Sequence, residues 1–199
     1  SDLIQLLGIG SIAIGFAFRD IFQNFLAGIL ILLTEPFRIG DQIVVNEFEG
    51  TVEDIQTRAT MIKTYDGRRI VIPNSTLFTE EVIVNTAFDT RRSQYDIGIG
   101  YGDDIEKARQ LIVEAMNEIE GVLPDPKADV IVVELADYSI KLRARWWTKS
   151  VRSEVLVHQS LVLTAIKKKL TENGINIPFP IQQILFHDQT EETNGKRTE

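Results

Sequence analysis

The sequence predicts a membrane helix, a small β barrel and an α+β domain, because the spacing of hydrophobic residues changes twice along the chain. Residues 3–33 are apolar with few polar interruptions and contain no proline, which is typical of one long helix. Between residues 37 and 88, short runs alternate hydrophobic and polar residues, as strands do. From residue 94 onward such runs are interspersed with runs of helical spacing, which indicates an α+β domain.

Composition narrows the classes of function. The chain has 199 residues, of which 44% are hydrophobic, and a formal net charge of -8 at pH 7. The charge disfavours a nucleic-acid partner, because affinity for nucleic acids comes largely from Lys and Arg at phosphates. With no cysteine and two histidines, the chain has little from which to build a metal site or a nucleophile–base pair. We therefore expect no catalytic residue, no metal, no cofactor and no nucleic-acid partner.

The apolar helix begins with sixteen uncharged residues, Leu3 to Phe18. At about 1.5 Å per residue they would span about 24 Å, which is less than the roughly 30 Å of hydrocarbon in a bilayer. We expect a further upstream turn to complete the crossing. Arg19 and Asp20 follow at once and should mark the membrane exit, because charges are unfavourable inside lipid. A buried helix of a soluble protein is the alternative that this segment leaves open.

Small and large residues fall on separate faces of this helix. Helices pack closely in lipid along faces of small residues. Two such faces are expected here, formed by Gly8, Ser11 and Gly15 and by Ala13 and Ala17. Ile12 and Phe16 are one turn apart and project from the same side. In a ring of identical helices these two residues would form two stacked apolar collars.

Five short runs are expected to form the strands of the barrel. They read DQIVV, GTVEDIQ, ATMIKTY, RRIVIP and EVIVNTAF. Between the third and fourth runs lies Asp66-Gly67, the pair that favours a type I′ hairpin turn, because both central residues of that turn take a positive φ.

The α+β domain is expected to contain three strands and two helices. The strands should lie in 93–101, 128–136 and 138–147, and the helices in 103–121 and 153–174. Asp103 and Glu106 have the spacing of a capping box at the start of the first helix. Gly121 and Gly174 are expected to end the two helices. We also expect a last strand at 181–186 and a disordered tail at 188–199.

Two glycine motifs suggest nucleotide binding only superficially. Gly8-x-Gly10-x-x-Ala13 matches part of a dinucleotide fingerprint, but the apolar run continues through the supposed turn and no parallel βαβ unit follows. The glycines of 98–102 alternate with Ile97, Ile99 and Tyr101, as expected in a strand that another backbone approaches closely.

Three longer stretches carry a family resemblance. They are IGFAFRDIFQNFLAGILILLTEPFRIGDQI, GTVEDIQTRATMIKTYDGRRIVIPNSTL and ENGINIPFP. In order and spacing they resemble the small-conductance mechanosensitive channel family, from its third transmembrane helix to its C-terminus. The resemblance implies a channel that membrane tension opens, releasing ions and small osmolytes on hypo-osmotic shock.

The resemblance also implies an architecture. It is a homo-heptamer in membrane lipid, with a pore-lining helix, a β domain similar to an Sm-type barrel, and an α+β domain ending in a strand of a barrel shared between copies. The implied boundaries are 1–34 for the helix with its bent interfacial half, 35–88 for the β domain, 89–176 for the α+β domain, 177–187 for the barrel strand and 188–199 for the tail. The family has at least two transmembrane helices before this point, which this sequence lacks. The full-length protein is therefore expected to be multi-pass in the inner membrane, with its C-terminal part in the cytoplasm.

The family pattern assigns roles to individual positions of this sequence. The pore gate falls on Ile12 and Phe16, the pair that helical spacing also selects. Helix packing is assigned to Gly8, Ser11, Ala13, Gly15 and Ala17, and the helix bend and membrane exit to Arg19, Asp20, Asn24 and Gly28. The family's kink glycine falls on Asp20, and no Gly or Pro lies between Phe16 and Ala27 to permit a bend. Phe16 is bulkier than the family's usual leucine.

Two other functions were weighed against the channel. A soluble, Sm-like oligomeric scaffold that binds RNA would need a basic pocket, and the β region offers only scattered cations at Arg58, Lys63, Arg68 and Arg69. An enzyme would need a nucleophile–base pair or a phosphate-binding loop in its proper context, and the sequence supplies neither.

Overall fold

The computed structural model describes the backbone of residues 2–180 and the side chains of residues 8 and 10–180. The predicted strand at 181–186 and the tail at 188–199 lie outside the described residues. The elements in chain order are α1 (Asp2–Thr34), β1 (Gln42–Val45), β2 (Phe48–Ile55), β3 (Ala59–Lys63), β4 (Arg69–Pro73), α2 (Asn74–Thr79), β5 (Val82–Val84), β6 (Thr90–Ile99), α3 (Ile105–Asn117), β7 (Asp129–Leu135), β8 (Ile140–Lys149) and α4 (Arg152–Glu172).

The apolar segment forms one continuous helix, α1. It stays helical through Arg19 and Asp20, so the bend predicted there does not interrupt the helix, and its angle stays a prediction. The helix ends where Glu35 takes a positive φ of 44° and Pro36 follows. Proline cannot continue a helix because it lacks an N–H and disfavours helical geometry in the residue before it.

The β region forms a five-stranded antiparallel sheet in the order β4-β3-β2-β1-β5. Alternate residues point into a hydrophobic core, as a period of two requires. That core includes one residue of α1, and its buried members are Ile31, Phe37, Ile43, Val45, Val52, Ile62, Ile72 and Leu77.

The β3–β4 hairpin forms as predicted, but the predicted turn type is wrong. A type I′ turn needs positive φ at both central residues, and only Gly67, at 87°, has it; Asp66 does not. The amide of Gly67 donates to the Thr64 carbonyl and the amide of Thr64 to the Arg68 carbonyl. A wider loop with a left-handed glycine results, in which the Thr64 hydroxyl donates to the Asp66 carboxylate at 2.5 Å.

The α+β domain has a three-stranded antiparallel sheet in the order β6-β8-β7, with α3 and α4 on one face. Central strand β8 alternates strictly, and its buried residues are Ile140, Leu142, Ala144, Trp146 and Thr148. Helices α3 and α4 supply the other side of this core, through Ile112, Met116, Val162, Ile166 and Leu170. Beyond α4, the described residues 177–180 form neither helix nor strand.

The predicted capping residue of α3 is off by one position. Asp104, not Asp103, is the N-cap, and its carboxylate accepts from the amides of Glu106 and Lys107. The Asp103 carboxylate instead accepts from the amides of Gly100 and Asn176. It thereby ties the end of β6 to the segment after α4, a long-range contact that a local capping pattern cannot reveal.

Gly121 and Gly174, predicted to end the two helices, follow α3 and α4 with positive φ values of 100° and 75°. A left-handed residue lets the chain turn away from a helix end, and glycine adopts it without steric penalty. The surroundings differ: a Cβ on Gly121 would lie 1.9 Å from Nε2 of the buried His158, whereas one on Gly174 would meet nothing within 4 Å.

We expect Gly121→Ala to lower the free energy of unfolding of the α+β domain by about 2–4 kcal/mol, because it combines left-handed strain with displacement of a buried ring. The matched change Gly174→Ala should cost only about 1 kcal/mol, from the strain alone. Chemical unfolding followed by fluorescence of Trp146 and Trp147 measures both changes within this domain. Equal losses in the two variants would contradict the steric argument.

Candidate functional site: the apolar helix and its docking on the β domain

Most of α1 is exposed in this chain. Ile12 and Phe16 are 61% and 70% exposed. The other exposed large apolar residues of the helix are Ile14, Phe18, Ile21, Phe22, Phe25, Leu26, Ile29, Leu32 and Leu33. The segment Gly10–Thr34 is long and apolar enough to cross a membrane, and 17% of its most apolar window is buried. Burial of a core helix inside a soluble protein does not account for it, and an apolar surface of this extent needs lipid or other chains around it.

The small residues assigned to helix packing have no packing partner among the described residues. Gly8, Ser11, Ala13, Gly15 and Ala17 are all exposed. A Cβ added at Gly8 or Gly15 would meet nothing within 4 Å. Glycine destabilises a helix interior by about 0.5–1 kcal/mol relative to alanine, and no contact in the described part of the chain explains these glycines. The Ser11 hydroxyl donates to the Gly8 carbonyl at 2.8 Å, so this polar group is satisfied within its own helix.

Asn24, predicted near the membrane exit, joins α1 to α2. Its Nδ2 donates to the Asp20 carbonyl at 2.9 Å, and its Oδ1 accepts from the Ser75 amide at 2.9 Å. The first turn of a helix has amides without partners, and the N-cap of α2 is Pro73, whose side chain cannot accept a hydrogen bond. Asn24 therefore supplies from α1 the acceptor that α2 lacks. Arg19 and Asp20, one turn earlier, are both exposed.

At Gly28, the backbone of α1 lies directly against the β domain. A Cβ at this position would lie 2.5 Å from Nδ2 of Asn74 and 2.5 Å from the Thr57 carbonyl oxygen. Asn74 is fully buried, where its Oδ1 accepts from the Thr60 hydroxyl at 2.9 Å and its Nδ2 donates to the Gln56 carbonyl at 2.7 Å. Glycine is required at position 28 because any side chain would collide with this hydrogen-bonded group.

The docked face of α1 continues through Ala27 and Ile31. Both are buried, and Ile31, at 1% exposure, belongs to the core of the β domain. Asn24, Gly28 and Ile31 are spaced by four and three residues and so share one side of the helix. The last turns of α1 are therefore part of the β domain, whereas residues 8–22 lie free of it.

The structure separates the predicted site residues into two groups. Asn24 and Gly28 come together on the docked face. Ile12 and Phe16 lie one turn apart on the exposed part of the helix, as the spacing predicts. The residues that receive α1 were not identified from sequence; they are Thr57, Asn74 and Ser75, and Gln56 and Thr60 hold Asn74 in place. Their available signal was the polar segment NST directly after the strand run RRIVIP, which the sequence analysis assigned to no element and which begins α2.

Charged groups away from α1 form surface pairs on the α+β sheet. The guanidinium of Arg143 donates to the Asp96 carboxylate at 2.6 and 2.8 Å, and Arg145 pairs with Asp129 in the same way. Each arginine lowers the pKa of its partner's carboxyl from the usual value by hydrogen bonding. These carboxylates stay ionised at neutral pH. Within residues 2–180, no group of three His, Asp or Glu side chains is placed to hold a metal ion.

Two family models match this arrangement. The mechanosensitive ion channel β-domain matches residues 20–86, and the C-terminal domain of the mechanosensitive ion channel MscS matches residues 94–177. The chain belongs to the MscS family of mechanosensitive ion channels. The first match begins at Asp20 and so includes the docked part of α1 together with the β domain that receives it.

Relatives in this family extend beyond the chain. An uncharacterised MscS family protein of Archaeoglobus fulgidus is 36% identical over 189 residues, which are 95% of this chain and 66% of that protein. The small-conductance mechanosensitive channel MscMJ of Methanocaldococcus jannaschii is 34% identical, over 89% of this chain and 51% of that protein. The mechanosensitive channel MscK of Escherichia coli is 33% identical, over 94% of this chain and 17% of that protein. The chain thus spans less than two thirds of the length of each of these three relatives.

Solved structures agree with the fold. The crystal structure of Helicobacter pylori MscS in its closed state matches with a TM-score of 0.88 and 28% identity, over 95% of this chain and 74% of that one. Arabidopsis thaliana MSL1, at 21% identity and a TM-score of 0.76, shares the fold. The predicted family and fold class are confirmed. MscS family membership favours an ion channel over the RNA scaffold and over an enzyme.

We expect Gly28→Ala to loosen the docking of α1, because its methyl group must displace Asn74 or the backbone at Thr57. The expected penalty is about 1–3 kcal/mol. Hydrogen exchange of the α2 amides, including the Ser75 amide held by Asn24, should become faster. The matched change Gly15→Ala, with open space around its Cβ, should leave exchange in α2 unchanged. Unaltered α2 exchange in Gly28→Ala would show that the close approach does not hold the helix.

Proposed function

We propose that the full-length protein is a channel that opens under membrane tension and releases ions and small osmolytes on hypo-osmotic shock. The observation that carries this proposal is the division of α1 into an exposed apolar part and a part docked on a water-facing domain. An exposed apolar helix, whose glycines meet no neighbour among the described residues, is suited to line a pore with identical copies, surrounded by lipid. MscS family membership supports the same function.

Ile12 and Phe16 are proposed as the gate. In a ring of α1 helices, side chains one turn apart on the same face would form two apolar collars around the axis. A narrow apolar collar expels water and so blocks ions without a plug, and widening it lets water and ions return. The phenylalanine is large, which gives the second collar the greater apolar bulk.

The assembly is proposed to be a homo-heptamer, as the resemblance implies. Small residues would let neighbouring helices approach and slide when the pore widens. These are Gly8, Ser11, Ala13, Gly15 and Ala17. Tension would favour the open state because that state occupies more membrane area, and a force shifts an equilibrium only when the two states respond to it differently.

The remaining parts follow from the same proposal. Further transmembrane helices would precede residue 1 and place the protein in the inner membrane, with residues 35–176 in the cytoplasm as a β domain (35–88) and an α+β domain (89–176). The segment 177–187 would add one strand per copy to a shared barrel, at residues 181–186, and 188–199 would be a tail. Arg19 and Asp20 would mark the membrane exit and the bend between the moving and docked parts of α1, because charged groups turn towards water.

Phe16→Ser should lower the pressure at which the channel opens, because a hydroxyl hydrates the proposed collar. The measurement is the threshold of suction-evoked current in liposome patches containing the full-length protein. Ile14→Ser is the matched control: Ile14 is similarly exposed but points to the opposite side of the helix. We expect its threshold to stay close to that of the wild type.

Two results would contradict the proposal at different points. A wild-type protein that is folded and inserted but silent under suction would overturn tension gating. Wild-type currents with an unchanged threshold in Phe16→Ser, or an equal drop in Ile14→Ser, would leave the channel in place and overturn the assignment of the gate.

A further inference from the structure

Helix α4 of the α+β domain begins without a cap of its own. Its N-cap residue is Val151, whose side chain cannot accept a hydrogen bond from the free amides of the first turn. The amide of Arg152 instead donates to Oε1 of Gln42 at 2.8 Å. Gln42 belongs to β1, so the β domain supplies the acceptor that the first turn of α4 needs.

The side chain of the same residue makes two further contacts with the β domain. Nη1 of Arg152 donates to Oε2 of Glu49 in β2 at 2.5 Å, and the guanidinium lies over the ring of Tyr65, 4.4 Å from its centroid. The side chains of Arg152 and Glu49 are 37% and 30% exposed, so the pair is partly removed from water. Both contacts are stronger there than on an open surface.

The partners of Arg152 lie on three separate parts of the β domain: β1, β2 and the β3–β4 loop. Glu49 has a second hydrogen bond within the β domain, since Nδ2 of Asn85 donates to its Oε1 at 3.3 Å. Burial and the neighbouring Glu49 carboxylate raise the pKa of Tyr65 above its usual value, so its ring stays neutral at physiological pH. Three contacts in different directions fix both the position and the direction of α4.

Other arginines of the α+β domain have a different arrangement. Arg143 pairs with Asp96, and Arg145 pairs with Asp129, in both cases on neighbouring strands of the same sheet. Such pairs stabilise one domain only. Arg152 lies more than 80 residues along the chain from each of its three partners, which belong to the other domain.

We propose that Arg152 is a latch that holds the α+β domain in a fixed orientation on the β domain, through Gln42, Glu49 and Tyr65. While the latch is closed, the two domains move as one body, and because α1 is docked on the β domain this body includes the last turns of α1. When it is open, α4 loses its cap and the α+β domain turns independently. The latch itself does not depend on the proposed function.

Hydrogen exchange of the full-length protein in detergent tests the latch. Arg152→Ala removes the guanidinium contacts with Glu49 and Tyr65 and keeps the backbone amide that donates to Gln42. Without those two contacts, exchange should speed about fivefold to tenfold on both sides of the contact, at the start of α4 and in β1, β2 and the 64–68 loop. Arg143→Ala is the matched control, since it removes an arginine that pairs within one sheet, and it should leave all these segments unchanged. Unchanged exchange in the β-domain segments of Arg152→Ala, or the same increase in Arg143→Ala, would overturn the latch.

A pair of variants at Tyr65 keeps the test decisive if Arg152→Ala unfolds. Tyr65→Phe keeps the ring beneath the guanidinium and should leave exchange at the start of α4 unchanged, whereas Tyr65→Ala should speed it. Equal exchange in these two variants would overturn the ring contact. Hydrogen exchange is measured independently of current. A protein that conducts no current but shows the expected exchange changes would overturn only the proposed function. A protein that conducts under tension but lacks these exchange changes would overturn only the latch.

Discussion

Because Gly28 has no side chain, α1 comes close enough to the β domain for Ile31 to enter its core and for Asn24 to cap α2. A methyl group at position 28 would overlap Asn74, whose own hydrogen bonds to Thr60 and Gln56 leave it little freedom to move. An unpaired buried amide is costly, so Asn74 is held firmly in this position. One missing side chain thus allows an apolar helix to be anchored in the β domain.

Anchoring one end of α1 gives the two parts of the helix different roles. The part around Ile31 is stabilised by the core of the β domain, and the part around Ile12 and Phe16 is exposed in the described structure. Arg19 and Asp20 lie between the two parts and are exposed. Under the proposed function, a change of tilt in the apolar part is resisted at the anchored end. The proposed Arg152 latch would extend that resistance to the α+β domain.

The spacing of hydrophobic residues was sufficient to predict α1, most strands and the fold class, because the repeat of hydrophobic residues along an element shows which of its sides is buried. It also placed Ile12 and Phe16 on one face. It could not identify the roles of side chains that contact residues distant in sequence. Asp103 was expected to cap α3 but binds the amide of Asn176, and Asn74 receives α1 from 46 residues further along the chain. The Asp66-Gly67 turn was misassigned because the pair is compatible with more than one loop length.

The central claim is that one face of the exposed part of α1 lines a conducting pore. The 199 residues of this chain contain no cysteine, so single cysteines can be introduced at positions 12, 14 and 16 of the full-length protein and tested with a charged thiol reagent during suction-evoked current. The wild type is the control for any cysteine outside these residues. We expect the reagent to change the current through Ile12→Cys and Phe16→Cys, and to leave Ile14→Cys and the wild type unaffected. Modification of current in Ile14→Cys alone, or equal effects at all three positions, would contradict the account.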